Sequence, residues 1–223
     1  MMKMITASDG HTLECWFQPA EGTPRGGLVI LQEIFGVTEQ LKSVARRYAA
    51  LGFEVAIPAL FDRQRTGAVV AFDDIATARS LMQGADTAKA MLDIDAAVSA
   101  LADQGKGPAL RVAVMGFCWG GGLAVRAAQE LDVAGAVVFY GTRLPAYFGT
   151  PVRAPVQGHF GESDDHTPAD VLEAAQAEWP ELEVFLYPAG HAFANEERPQ
   201  VHDPEATAVA HERSAAFLSR VTG

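Results

Sequence analysis

Apolar residues along this chain follow two rhythms: short dense runs, and longer stretches in which they return every third or fourth position. The dense runs are Gly27 to Leu31, Phe53 to Ile57, Arg111 to Met115, Ala134 to Tyr140, Pro155 to Phe160 and Leu182 to Tyr187. Rich in β-branched and aromatic residues, they predict buried strands. Thr12 to Phe17 reads as an edge strand, followed by a turn at Pro24-Arg25-Gly26.

The slower rhythm predicts helices. Leu41, Val44, Ala45, Tyr48 and Leu51 share one face of a helix that Thr38 can cap and Gly52 stops. Ala71 to Leu101 keeps helical spacing but breaks near Gly84, which predicts two helices with Asp86 capping the second. Leu123 to Ala128 suits another helix. Pro168 to Glu178 and Pro204 to Val221 complete the set, with Thr167 and Asp203 as their caps. Strands alternating with helices imply right-handed crossovers, a mostly parallel central sheet flanked by helices on both faces, and ligands beyond the carboxyl ends of the strands.

Composition narrows the class. With 223 residues, 49% of them hydrophobic, residues 1–223 are expected to form one α/β domain around one substantial core. A net charge of −11 argues against a nucleic-acid partner, because such binding rests on clustered Lys and Arg. Two cysteines, Cys15 and Cys118, make no disulfide framework and suit a reducing compartment. The N-terminus reaches the polar turn Ser8-Asp9-Gly10 before an apolar stretch of signal-peptide length develops, and no later run resembles a membrane span. A cytoplasmic monomer without membrane or nucleic-acid partners is the expectation.

One stretch departs from ordinary strand-to-helix joints. Gly116-Phe117-Cys118-Trp119-Gly120 follows a predicted strand and opens a predicted helix, the context of a nucleophile elbow, in which a strained turn holds the nucleophile out toward substrate. A helix N-terminus also favours a thiolate. The competing reading of Cys118 is an inert buried thiol. His191, in Gly190-His191-Ala192-Phe193 after the last strand, is placed to serve as general base. His11, His202 and His211 read as surface histidines.

Asp164 and Asp165 compete to orient His191. Glu33 follows the first buried strand, where a carboxylate is costly to desolvate unless it is paired or used. The backbone amides of Ile34 and Trp119 are candidates for an oxyanion hole. His159 and His166 lie near these acids, but neither HExxH nor paired-cysteine spacing is present, so no metal is predicted. Nucleophile, acid and histidine occur in the chain order found in α/β hydrolases.

Together, Gln32-Glu33-Ile34-Phe35-Gly36-Val37, the elbow at Cys118, His159-Phe160-Gly161-Glu162-Ser163-Asp164 and Gly190-His191-Ala192-Phe193-Ala194-Asn195 resemble the dienelactone hydrolase (carboxymethylenebutenolidase) family over essentially the whole chain. The resemblance implies the α/β-hydrolase fold and a Cys118–His191–Asp164 triad, with Asp164 preferred to Asp165. It implies that Glu33 takes the thiol proton when substrate arrives, and that Cys118 attacks a lactone or ester carbonyl. The oxyanion then rests on the Ile34 and Trp119 amides, and water activated through His191 releases the acyl-enzyme without a cofactor.

Well-known members clamp a substrate carboxylate with two arginines. One of those positions holds Asn195 here, with Arg198 three residues on; for the other the chain offers Arg63, Arg65 and Arg79. Substrate choice is accordingly expected from loops around Phe35, Arg63, Arg79, Trp119, Phe193, Asn195 and Arg198. The alternatives are a general carboxylesterase or thioesterase of this fold, and a non-catalytic ligand-binding or thiol-sensing protein. A sensor would want a resolving cysteine, and Cys15 is distant in sequence.

Overall fold

A computed structural model describes residues 1–103 and 109–223. Eight strands form one sheet: β1 (Met2–Thr6), β2 (Thr12–Gln18), β3 (Gly26–Leu31), β4 (Phe53–Pro58), β5 (Val112–Phe117), β6 (Ala136–Phe139), β7 (Val156–Gly161) and β8 (Leu182–Tyr187). Their order is β1-β2-β4-β3-β5-β6-β7-β8. The β1–β2 and β2–β4 pairs are antiparallel, and every later pair is parallel. The helices are α1 (Glu39–Ala50), α2 (Ile75–Gly84), α3 (Thr87–Ala102), α4 (Trp119–Glu130), α5 (Ala169–Glu178) and α6 (Pro204–Thr222).

Two apolar clusters sandwich the sheet. One joins sheet residues Val29, Leu31 and Val114 to Ile94 of α3, Leu123 of α4 and Leu172 of α5. On the other face, Leu28, Ile30 and Met115 meet Leu41 and Tyr48 of α1 and Phe217 of α6. Every residue of β3 and β5 is buried, which explains why they read as unbroken apolar runs. At about 1.5–3 kcal/mol for each fully buried large aliphatic or aromatic side chain, these two layers hold the sheet rigid under the site. A third, smaller cluster of Phe35, Val70 and Ala78 helps seat α2, whose single buried residue is Ala78, while half-buried Leu81 and Met82 of that helix pack against the first cluster.

Four expectations need correction. β1 lies at the edge and β2 inside it; β1 is mostly exposed, with only Ile5 packed against the core, so it leaves little buried apolar pattern and is held mainly by pairing. Thr38 sits at the N-cap of α1 without a side-chain cap bond, and Glu197 instead accepts from the Gln40 amide at 3.1 Å. Thr167 likewise makes no cap for α5; its hydroxyl donates to the Gly141 carbonyl at 2.7 Å. His211 is buried, with Nδ1 2.9 Å from the Tyr48 hydroxyl. Asp86 and Asp203 do cap α3 and α6, accepting from the Lys89 and Ala206 amides. Among the described residues no helix is long and apolar enough to cross a membrane.

Candidate active site

Parallel strands deliver the candidate groups to one edge. Glu33 follows β3, Cys118 follows β5, Asp164 follows β7 and His191 follows β8, all beyond carboxyl ends. That edge of the sheet is where an α/β architecture leaves a crevice. A cavity of about 270 Å³ opens there, lined by Glu33, Ile34, Phe35, Cys118, His191 and Arg198 together with Ile75, Arg79, His166 and Val201.

Cys118 has φ +55° and ψ −115°, a conformation that costs a non-glycine residue of order 1–3 kcal/mol. Hydrogen bonds hold it there. Its amide donates to the Phe139 carbonyl, and its own carbonyl accepts from Gly121 and Thr142, each at 3.0 Å. The flanking glycines are sterically required: a Cβ on Gly116 would strike the Gly120 carbonyl, and one on Gly120 would come 2.5 Å from the carbonyls of Leu31 and Gln32. The side chain therefore stands at the N-terminus of α4, facing the cavity. Trp119, as the first residue of that helix, has no intrahelical acceptor for its amide. Neither that amide nor the Ile34 amide has an acceptor among the described residues.

His191 Nδ1 lies 2.8 Å from Asp164 Oδ2. Asp164 is almost fully buried, and its Oδ1 accepts from the His166 amide at 2.9 Å, so both carboxylate oxygens are engaged. Asp165 is exposed. Burial by itself favours the neutral imidazole, yet Asp164 and Cys118 outweigh it and lift the His191 pKa to about 10. Gly190 does not create the turn, since a Cβ there would meet only the Ser163 carbonyl at 3.8 Å. Ala192, at φ +63°, bends the chain instead.

Glu33 is 3% exposed, and its Oε2 accepts from Asn195 Nδ2 at 2.7 Å. Its Oε1 is buried without a hydrogen-bond partner among the described residues. Burial pushes its pKa up, against the opposing pull of His191, Arg198, Asn195 and Tyr140.

The substrate-binding expectations divide. Phe35, Arg79 and Arg198 line the cavity. Arg198 lays its guanidinium over the rings of Phe35 and Phe72, at 5.7 and 5.8 Å, and forms no ion pair among the described residues. Arg63 lies elsewhere, fastened bidentately to Asp9 and to buried Asp93 by four contacts of 2.8–3.0 Å. Two carboxylates already consume its donors, so it is a clip between the β1–β2 turn, the loop after β4 and α3.

Phe193 is fully buried against Tyr140 and Tyr187, behind the cavity. The Trp119 ring stacks on Phe61 inside the core. Asn195 is buried too and touches Glu33 rather than the open space. His159 sits in the interior, bonded to Tyr187, Gln157 and Ser214.

Two residues of the site escaped sequence reasoning. His166 lines the cavity with its ring centroid 4.4 Å from that of His191. Its place two residues after Asp164 was the available signal. Tyr140 ends a dense apolar run and so reads as core, which it also is.

A parallel sheet with a strained elbow after a central strand, and a histidine–carboxylate pair beyond later strands, defines an α/β hydrolase. The sequence model of the dienelactone hydrolase family matches residues 15–222, and the chain belongs to that family. Its membership makes it an ester- and lactone-hydrolysing enzyme. It is 35% identical to a protein of Methylorubrum extorquens provisionally assigned as a carboxymethylenebutenolidase, over 87% of this chain and 72% of that one. A relative with the same provisional assignment from Azospirillum brasilense is 32% identical, with 98% of each chain covered. A crystal structure of a provisionally assigned dienelactone hydrolase from Klebsiella pneumoniae superposes with a TM-score of 0.82 at 27% identity, covering 97% of this chain and 98% of that one.

Proposed function

We propose that this protein hydrolyses a lactone or small carboxylic ester through a thioester on Cys118, with His191 as acid and base, Asp164 as its orienter and Glu33 as acceptor of the thiol proton. The observation that carries the proposal is the placement of His191 against Asp164 at 2.8 Å in the same cavity as Cys118 and a buried, half-satisfied carboxylate. With Glu33 ionised and His191 protonated, loss of the thiol proton to Glu33 leaves a thiolate beside an imidazolium. The thiolate adds to the carbonyl, and the oxyanion is received by the Ile34 and Trp119 amides. Collapse expels the alkoxide, which takes the His191 proton. Neutral His191 then draws a proton from water, whose attack frees the acid and expels the thiolate, which takes its proton back from Glu33.

The cavity is small and carries two guanidinium groups, Arg79 and Arg198, that form no ion pair among the described residues, which suits a compact carbonyl compound bearing a carboxylate. The thiol-sensing alternative is disfavoured because Cys15 is sealed in the core, where burial pushes its pKa up to about 12. Turnover of an activated ester and of a dienelactone by wild type, Cys118→Ala and His191→Ala tests the reading. Loss of turnover in both variants, with an acyl mass adduct trapped on wild-type Cys118, is expected. A wild type inert toward both substrates whose Cys118 oxidises readily would replace the hydrolytic mechanism with a sensor.

A further inference from the structure

Directly after β6, Tyr140 adopts φ +39°, and its amide donates to the His159 carbonyl at 2.7 Å. The ring is completely buried, with His191 edge-on at 5.2 Å, Phe193 at 5.5 Å and Phe117 at 6.0 Å. Phenylalanine would fill that slot equally well. The hydroxyl, however, is buried without a hydrogen-bond partner among the described residues, and so is Oε1 of Glu33. An unpaired buried polar group costs about 1–3 kcal/mol, more when it is charged, and here two of them belong to neighbours whose charges act directly on each other. Cys118 is the second group whose charge acts on the Tyr140 hydroxyl. The phenol is thus coupled to both the thiol and the carboxylate that the proposed mechanism requires to exchange a proton.

We propose that Tyr140 is a positioning residue for that exchange, its hydroxyl holding Oε1 of Glu33 on one side as the Asn195 amide holds Oε2 on the other. The inference rests on the reading of Glu33 as acceptor of the thiol proton. A small rotation of the phenol lets its O–H donate to ionised Oε1, and the remaining lone pair of Oε1 is left to accept the proton of Sγ–H. When the S–H bond breaks, its proton forms O–H on Oε1 and its electron pair stays on sulfur. The hydroxyl then reverses, accepting from the new Oε1–H while its own hydrogen turns to the thiolate. Asn195 donates only through its amide nitrogen and cannot reverse in this way, whereas a hydroxyl both donates and accepts.

The test is the pH profile of Cys118 alkylation by neutral iodoacetamide in the full chain, measured for wild type, Tyr140→Phe, Glu33→Gln and the double variant, with a thermal unfolding curve for each. Tyr140→Phe is expected to slow alkylation at pH 7 about tenfold, the loss of one hydrogen bond to a charged group. It should also move the acid limb of the profile to higher pH, because the carboxylate loses a donor that favours its ionised form. In the Glu33→Gln background the same change should have less than a twofold effect. An unchanged profile for Tyr140→Phe beside a slowed Glu33→Gln overturns the role of Tyr140 and leaves that of Glu33 standing.

Equal slowing in both backgrounds also overturns the proposal, since Tyr140 would then act independently of Glu33. If neither variant changes the profile, the Glu33 reading itself fails and takes the inference with it. Should Tyr140→Phe lose its thermal transition, 3-fluorotyrosine at position 140 supplies a stronger donor in the same volume. The limb then moves to lower pH if the hydroxyl holds Glu33, and an unmoved limb rejects that role.

Discussion

Two histidines behind the elbow and one in front of it are each pushed by burial toward the neutral form, with opposite results. His159 and His211 flank the Phe139 ring, each with centroids 4.9 Å away, and burial pushes both down to about 3. His191 is also penalised by burial, but a carboxylate at 2.8 Å and the Cys118 side chain lift it to about 10. The difference lies in the partner. His159 and His211 hydrogen-bond to hydroxyls and an amide, whereas His191 faces a formal negative charge. The arginines repeat the contrast: Arg63 is consumed by two carboxylates, and Arg198 keeps its charge for the cavity.

The hardest blow to this comparison is to take the charge away from His191. Asp164→Asn should lower kcat roughly 10³- to 10⁴-fold, measured by steady-state hydrolysis of an activated ester, and the pH optimum should move because the imidazole no longer keeps its proton. Next in size is acid stability. His159 and His211 bind protons readily only when unfolded, so stability is intact above pH about 6.5 and falls as pH drops toward 3, by about 1.4 kcal/mol per unit for each ring. Urea unfolding across that range should show a shallower slope in His211→Gln. His191 runs the other way: its stabilising proton is present below pH about 6.5 and is lost as pH rises through about 10.

Arg198→Gln should raise KM about tenfold for carboxylate-bearing substrates and leave neutral esters unchanged; equal effects on both would remove it from anion recognition. The smallest expected effect belongs to Arg63→Lys. It should cost about 1–2 kcal/mol in urea unfolding, because a point charge replaces a bidentate fork over buried Asp93, while kcat per folded molecule stays the same.

Periodicity made the parallel core legible because β3 and β5 are buried on both faces and α1 on one, so burial wrote itself into residue spacing. β1 left no such trace. The candidate site was legible where residues follow strands, since topology alone sends Glu33, Cys118, Asp164 and His191 to one edge. Spacing could not tell which way a loop side chain turns. Phe193, Asn195 and the Trp119 ring all sit beside the cavity in sequence and face the interior in space. Arg63 illustrates the remaining gap, because its partners Asp9 and Asp93 are remote in the chain, and nothing local announces that its charge is already taken.

The seating of α2 carries a consequence for how this enzyme can be altered. Its one fully buried residue, Ala78, rests on Phe35 and Val70, and only half-buried Leu81 and Met82 reach the main core, so that helix, with Ile75 and Arg79 lining the cavity, contributes little to the packing of the sheet. Exchanging or lengthening it draws on a small local reserve of packing and leaves the strained elbow and its supports intact. Selectivity is thereby uncoupled from foldability, and a library randomised over residues 72–84 should yield folded proteins with changed substrate range far more often than one built on the loops that hold His191.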